Sequence, residues 1–242
     1  MDRKPTAALF DLDGTLIDHF GIIYRCYCHA LEKLGLPPVS FAKVKASVGG
    51  SIVVTFGKLI PQKDVPEAVS LVRAHFKKIW AEDITVLAGA DKLLKELDAA
   101  GIRCAVLTNK EGDASRRILA HVGLARHLRF TLGTLDTPHR KPDAAFTEAA
   151  LRQLGTSAAE TCLIGDSPYD VAAATVVGMR AYAVATGSHS VDELRETEAA
   201  DVFPDLSVLA QSVFGIQLGP CFPVTYGADH APPLRASGTD DC

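Results

Sequence analysis

Two kinds of apolar spacing divide the chain. Residues 7–10, Ala-Ala-Leu-Phe, form a short continuous apolar run with Gly14 close behind it, and such a run bounded by a turn signal predicts a strand buried on both faces. From 19 onward apolar positions recur instead every three or four residues. Ile22, Ile23, Cys26, Ala30, Leu31 and Leu34 predict a helix over 19–34, with Asp18 able to cap it and Gly35, Pro37 and Pro38 to stop it. Helices are likewise expected over 40–47, 52–60 and 65–80, the first two separated by the loop Val48-Gly49-Gly50-Ser51. No strand is expected between 17 and about 85, so this stretch reads as an α-helical unit inserted after the first strand.

Beyond Leu87 the elements become short and regular. Strands are expected over 102–107, 130–132, 162–164 and 180–184, and helices over 91–100, 113–121, 142–154 and 170–177, with Pro142 in the first turn of its helix. A last strand and helix are expected over 202–203 and 206–213. This alternation predicts an α/β fold, a doubly wound (Rossmann-like) parallel sheet whose carboxyl edge is free for chemistry. The expected division is a Rossmann-like core over 1–16 and 86–218, a helical cap domain over 17–85, and an extended or flexible C-terminal tail over 219–242. That tail carries Pro220, Pro223, Pro232 and Pro233 with few apolar residues.

Composition narrows the class. A chain of 242 residues, 48% hydrophobic and 22% charged, has enough apolar material for a core plus a smaller unit, which excludes disorder throughout. The net charge of −4, with no Lys/Arg run, points away from nucleic acid and anionic membranes and toward small molecules. The longest uncharged run, 206–228, is broken by Gln211, Gly215, Gln217, Gly219, Pro220 and Pro223 and does not read as a membrane span. Six cysteines lack paired C-x-x-C spacing, and Cys104 and Cys162 lie inside apolar runs. A reducing, cytoplasmic location is therefore expected. Behind Met1-Asp2-Arg3-Lys4-Pro5 the apolar segment is too short, and too soon acidic, for a signal peptide.

The candidate chemistry lies where the strands end. The first strand runs into Asp11-Leu12-Asp13-Gly14, and residues i and i+2 of a straight strand share a face. Two carboxylates so placed repel unless a cation stands between them, and Mg²⁺ suits all-oxygen ligands that leave room for waters and a phosphate. Three further strands end in polar groups: Thr108 with Asn109, Lys141, and Asp166 with Asp170. Taken singly these have other uses, as a turn hydroxyl, a solvated charge, a helix cap and an acid near a helix N-terminus. Brought to one edge, they would offer carboxylates for a cation, and a hydroxyl, an amide and an ammonium for phosphate oxygens.

The ordered motifs Phe10-Asp11-Leu12-Asp13-Gly14-Thr15-Leu16 with Asp18, Leu107-Thr108-Asn109-Lys110, Lys141-Pro142-Asp143 and Gly165-Asp166-Ser167-Pro168-Tyr169-Asp170 resemble those of the haloacid dehalogenase-like hydrolase superfamily. The pattern is similar to that of its phosphoglycolate phosphatase-like members with a helical cap, up to about residue 215. The resemblance implies a Mg²⁺-dependent phosphatase hydrolysing a small phosphorylated metabolite, phosphoglycolate or a similar phosphomonoester. In it Asp11 is the nucleophile that forms an aspartyl-phosphate and Asp13 the general acid and base, with Thr108, Asn109 and Lys141 binding the phosphoryl group. The implied metal ligands are Asp11, Asp13 through its main-chain carbonyl, Asp166 and Asp170. Members that cleave carbon–halogen bonds lack the second aspartate, so Asp13 points toward phosphate esters. A hexose phosphomutase of the same superfamily and a non-catalytic binding protein on the same fold are the alternatives. In the cap, Val48-Gly49-Gly50-Ser51 resembles a substrate-facing turn, and Lys43, Lys45 and Arg73 are candidates to receive a substrate carboxylate. The sequence leaves the substrate and the oligomeric state, monomer or homodimer, open.

Overall fold

The computed structural model describes residues 4–230; residues 1–3 and 231–242, including Cys242, lie outside the described residues. Its elements are, in order, β1 (Ala7–Phe10), β2 (Ile17–Asp18), α1 (Phe20–Lys33), α2 (Phe41–Ser47), α3 (Ile52–Leu59), α4 (Val65–Ile79), β3 (Ile84–Val86), α5 (Ala90–Ala99), β4 (Arg103–Glu111) and α6 (Gly112–His121). Then come β5 (Thr131–Thr134), α7 (Ala144–Leu154), β6 (Thr161–Gly165), α8 (Pro168–Thr175), β7 (Arg180–Val184), α9 (Val191–Arg195), β8 (Asp201–Phe203), α10 (Leu206–Leu209) and β9 (Val224–Tyr226).

Six strands form one sheet in the order β5-β4-β1-β6-β7-β8, every neighbouring pair parallel. Period-two alternation sends consecutive residues to opposite faces. Ala8, Phe10, Val106 and Ile164 therefore enter one apolar layer, and Ala7, Leu9, Leu107 and Leu163 the other. A strand covered on both sides has no polar face, which is why its sequence reads as an unbroken apolar run. The chain winds from β1 toward β5 on one side and toward β8 on the other, so β1 sits at the switch point, beside which such sheets place their ligands.

Helices α1 to α4 build a third apolar cluster around Ile22, Tyr27, Val44, Phe56, Val69 and Val72, with Tyr27 stacked on Phe56 at 4.2 Å between ring centres. The sequence leads one to expect no strand over 17–85, but Ile17–Asp18 pairs antiparallel with Ile84–Val86. This two-strand ribbon joins the helical unit to the sheet, and it is too short to show an apolar period. Of the tail expected to be extended or flexible over 219–242, the described residues, to 230, include an extended segment held against the core. Val224–Tyr226, three good strand formers, extends the ribbon with Ile84 opposite Tyr226, while Lys92 Nζ donates to the Pro220 carbonyl at 2.5 Å. His121 Nε2 also meets the Gly227 carbonyl at 3.0 Å. Among the described residues, no helix is long and apolar enough to cross a membrane. The five described cysteines are all free thiols.

Candidate active site

Four adjacent strands deliver the polar groups to one edge. Asp11 directly follows β1, and its N–H is fixed by the Ile164 carbonyl of β6 at 2.9 Å. Lys141, between β5 and α7, donates from Nζ to Asp11 Oδ1 at 2.8 Å and to Asp170 Oδ1 at 2.5 Å. Its side chain is 1% exposed, a degree of burial an ammonium tolerates only when paired. The second Asp170 oxygen accepts from the Ser167 N–H at 3.1 Å and the Ser167 hydroxyl at 2.6 Å. Asp166, just after β6, accepts from the Ser188 N–H at 2.7 Å and hydroxyl at 3.0 Å.

Carboxylate oxygens of Asp11, Asp166 and Asp170 lie within 4.8 Å of one another. Glycines let them come this close. A Cβ on Gly14, whose φ is +89°, would stand 2.5 Å from Asp166 Oδ2, and one on Gly165 or Gly187 would collide with Asp170 or Asp166. Burial, then the charges of Asp11 and Asp170, push the Asp166 carboxyl up to about 8. Burial also raises Asp170, with the Lys141 charge pulling the other way. For Lys141 burial pulls down, but the Asp11 and Asp170 charges together outweigh it and hold the ammonium above its ordinary range. Three buried carboxylates thus face one buried ammonium. The surplus negative charge and the all-oxygen donor set fit a hard divalent cation.

Asp13 stands apart from that cluster. The sequence pattern puts Asp11 and Asp13 on one strand face with a cation between, but the strand ends at Phe10 and Asp13 lies in the following turn, bridged to Ile17. Each aspartate has its own lysine. Lys110 Nζ holds Asp13 at 3.1 and 2.9 Å to its two oxygens and lies 5.2 Å from the centre of the Phe76 ring on α4. The apolar pattern gives no role to Lys110, because the strand it predicts stops at 107. In the structure β4 continues to Glu111, carrying Thr108, Asn109 and Lys110 along the edge.

Thr108 is buried, its Oγ accepts from the Lys110 N–H at 3.2 Å, and it lines the cavity above Asp11. Asn109 is expected to bind phosphate, yet its amide is already spent. Nδ2 donates to the Gly49 carbonyl at 2.9 Å and the Lys141 carbonyl at 3.2 Å, and Oδ1 accepts from the Lys141 N–H at 2.9 Å. It clasps the Lys141 loop and ties it to the helical unit. That clasp keeps Lys141 and Pro142 in a loop, so α7 starts at Ala144 behind Asp143 and not with proline in its first turn. Ser167, which holds Asp170, carries a legible signal in the S-x-x-D capping pattern that opens α8. Ser188 carries none.

A cavity of about 320 Å³ separates this edge from the helical unit, with Asp11, Asp13, Thr108 and Lys110 on its floor. Val48, Gly49 and Gly50 line it, as does Arg73, whose Nε donates to Glu111 Oε1 of β4 at 2.5 Å. Lys43 and Lys45 do not reach the cavity; Lys45 lies over the Phe20 ring, 4.9 Å from its centre.

Fold and floor together define an α/β protein with a doubly wound parallel sheet whose acidic edge is roofed by helices, and comparison with known proteins names the family. The chain belongs to the haloacid dehalogenase-like hydrolase family, whose model matches residues 8–184. It is 33% identical over 216 residues to the phosphoglycolate phosphatase of Rhodospirillum rubrum, covering 85% of this chain and 89% of that protein. It is 30% identical over 184 residues to the pyrophosphatase PpaX of Bacillus velezensis, covering 76% and 85%. The crystal structure of a predicted phosphatase from Clostridium acetobutylicum superposes with a TM-score of 0.82 at 25% identity, covering 88% of this chain and all of that one. The chain is a phosphatase of this family, a phosphomonoester hydrolase.

Proposed function

We propose that the protein is a Mg²⁺-dependent phosphatase that hydrolyses a phosphomonoester of a small metabolite, the class that includes phosphoglycolate, through an aspartyl-phosphate on Asp11. The observation that carries this reading is the buried floor, where Asp11, Asp166 and Asp170 crowd around Lys141 beneath a cavity. Asp11, Asp166, Asp170 and the main-chain carbonyl of Asp13 would hold the cation. Bound there, Mg²⁺ supplies the positive charge that a phosphate dianion needs among carboxylates.

Phosphoryl transfer asks for an in-line nucleophile and for charge around the equatorial oxygens. Asp11 is held by its N–H and by Lys141, with one oxygen left for attack. Lys141 orients it and offsets charge from the same position, and the Thr108 hydroxyl donates to a phosphoryl oxygen. Asp13, which also lines the cavity, protonates the departing alkoxide and then takes a proton from the water that cleaves the acyl phosphate. Residues 17–85 act as a cap that excludes bulk water during transfer and opens for exchange, tied to the core by Asn109 at Gly49 and by Arg73 at Glu111.

The test is phosphate release from phosphoglycolate, sugar phosphates, nucleotides and pyrophosphate, with and without chelator. Turnover is expected to vanish in chelator and return with Mg²⁺. Full turnover in chelator overturns the reading.

A further inference from the structure

Above its charged floor the cavity is lined largely by apolar side chains. Ile23 and Tyr27 of α1, Ile52 of α3, and Val72 and Phe76 of α4 line it, and the Tyr27 ring is fixed by stacking on Phe56. Four cations line the cavity, Arg73, Lys77, Lys110 and Arg117; Lys77 is exposed, and two of the others are already ion-paired. Lys110 is bonded to both oxygens of Asp13, and Arg73 to Glu111. Arg117 lies over the Trp80 ring, 4.6 Å from its centre. A second carboxylate at Lys110 or Arg73 would have to compete with a resident one. At about 320 Å³ the space is in the range, roughly 300–1,000 Å³, of sites that enclose ligands well beyond two carbons.

We infer that the preferred substrate is a phosphomonoester whose leaving alcohol carries an uncharged apolar body, alkyl or aromatic, of about six carbons or more, and that phosphoglycolate is a poor one. This rests on the phosphatase reading above. The phosphate sits on the floor at Asp11, and the body lies along Ile23, Val72 and Phe76, where its burial stabilises the bound ester in proportion to the apolar area removed from water. A two-carbon acid leaves that wall wet and brings its own charge against the Arg73–Glu111 pair.

The decisive experiment compares kcat/KM, with Mg²⁺ and the full chain, for ethyl, n-hexyl and 2-phenylethyl phosphate and for phosphoglycolate. The three uncharged esters have unactivated alcohols as leaving groups, so the comparison reads the body and not the ease of departure. The inference expects n-hexyl and 2-phenylethyl phosphate to exceed ethyl phosphate by about tenfold or more, with phosphoglycolate below both. Val72→Asn should shrink the hexyl-to-ethyl ratio severalfold, a change that a general loss of folded enzyme would not produce. A flat or inverted order among the alkyl esters, or phosphoglycolate as the best of the four, overturns the inference and leaves the phosphatase reading standing. Hydrolysis of none of the four, with the wider panel also inert, overturns the phosphatase reading and this inference with it.

Discussion

The floor and the roof of the cavity are built in opposite ways. On the floor, Asp11, Lys141, Asp166 and Asp170 are buried and partnered, each held by a short loop at the end of a different strand or the helix behind it. In the roof the wall is apolar and packs by shape, and its polar ties to the floor are few: Asn109 to Gly49, and Arg73 to Glu111. The floor cannot adjust without stranding a charge in low dielectric. The roof can be repacked at small cost, as volume-conserving exchanges in apolar surfaces usually are. On the proposed function, the chemistry belongs to the floor and the choice of substrate to the roof.

Removing the floor's own ammonium breaks this comparison most severely. Lys141→Met leaves three carboxylates buried together, and the loss of one partner from a buried pair costs about 3–5 kcal/mol. Urea melts without metal should show that loss, and activity should fall by roughly 10²–10³-fold as transition-state charge loses its support. Stability close to that of the parent would show the floor to be as tolerant as the roof.

The pH dependence of metal binding is the next largest effect. The carboxyl of Asp166, at about 8 in the metal-free folded protein against 3.8 as its ordinary value, holds its proton where the unfolded chain has lost it. The folded state therefore binds the extra proton between those values, and this group's contribution to stability is present at low pH and lost as pH rises through the window. A divalent cation must displace that proton below about 8, so the rise in Tm on adding Mg²⁺ should be larger at pH 8 than at pH 6. An equal or smaller gain at pH 8 contradicts the assignment of Asp166 to the metal.

The smallest effect belongs to the tie between roof and floor. Arg73 and Glu111 are part-exposed, at 39% and 29% of their side chains, so a double-mutant cycle with Arg73→Ala and Glu111→Ala should give a coupling of about 0.2–1 kcal/mol. A coupling of several kcal/mol would place this pair with the floor's and remove the contrast.

The same contrast governs what is legible in the sequence. Strands β1 and β6 are apolar runs ending in aspartates and glycine, and a buried strand has little reason to end that way unless its edge carries a site, so Asp11 and Asp166 can be placed at one edge. Lys141 can be placed there too, although nothing in Arg140-Lys141-Pro142 says that its ammonium is buried. Burial follows from two aspartates that are 130 and 29 residues distant. The clasp made by the Asn109 side chain is not legible because an amide that binds a backbone loop and one that binds phosphate look alike in sequence. Ser188 is invisible because its partner, Asp166, is supplied by a different strand. The ribbon of β2, β3 and β9 stays hidden because strands of two or three residues carry no period. The wall residues Ile23, Val72 and Phe76 are readable as the apolar face of helices, but not as facing a cavity in place of a neighbouring helix.

The central claim is that Asp11 carries the phosphoryl group while Asp13 first gives and later takes a proton. Asp13→Ala removes both proton transfers and keeps the nucleophile and the buried carboxylates intact. With an unactivated ester the variant should lose roughly 10²–10⁴-fold in rate, whereas an activated aryl phosphate departs unaided and still phosphorylates Asp11. Water then lacks its base, so the acyl phosphate should persist. Intact-protein mass spectrometry with peptide mapping, after incubation of Asp13→Ala with Mg²⁺ and an aryl phosphate, should find one phosphoryl group on Asp11 and little in the parent. Equal fractional losses on activated and unactivated esters, with no phosphoryl group trapped, would contradict the account.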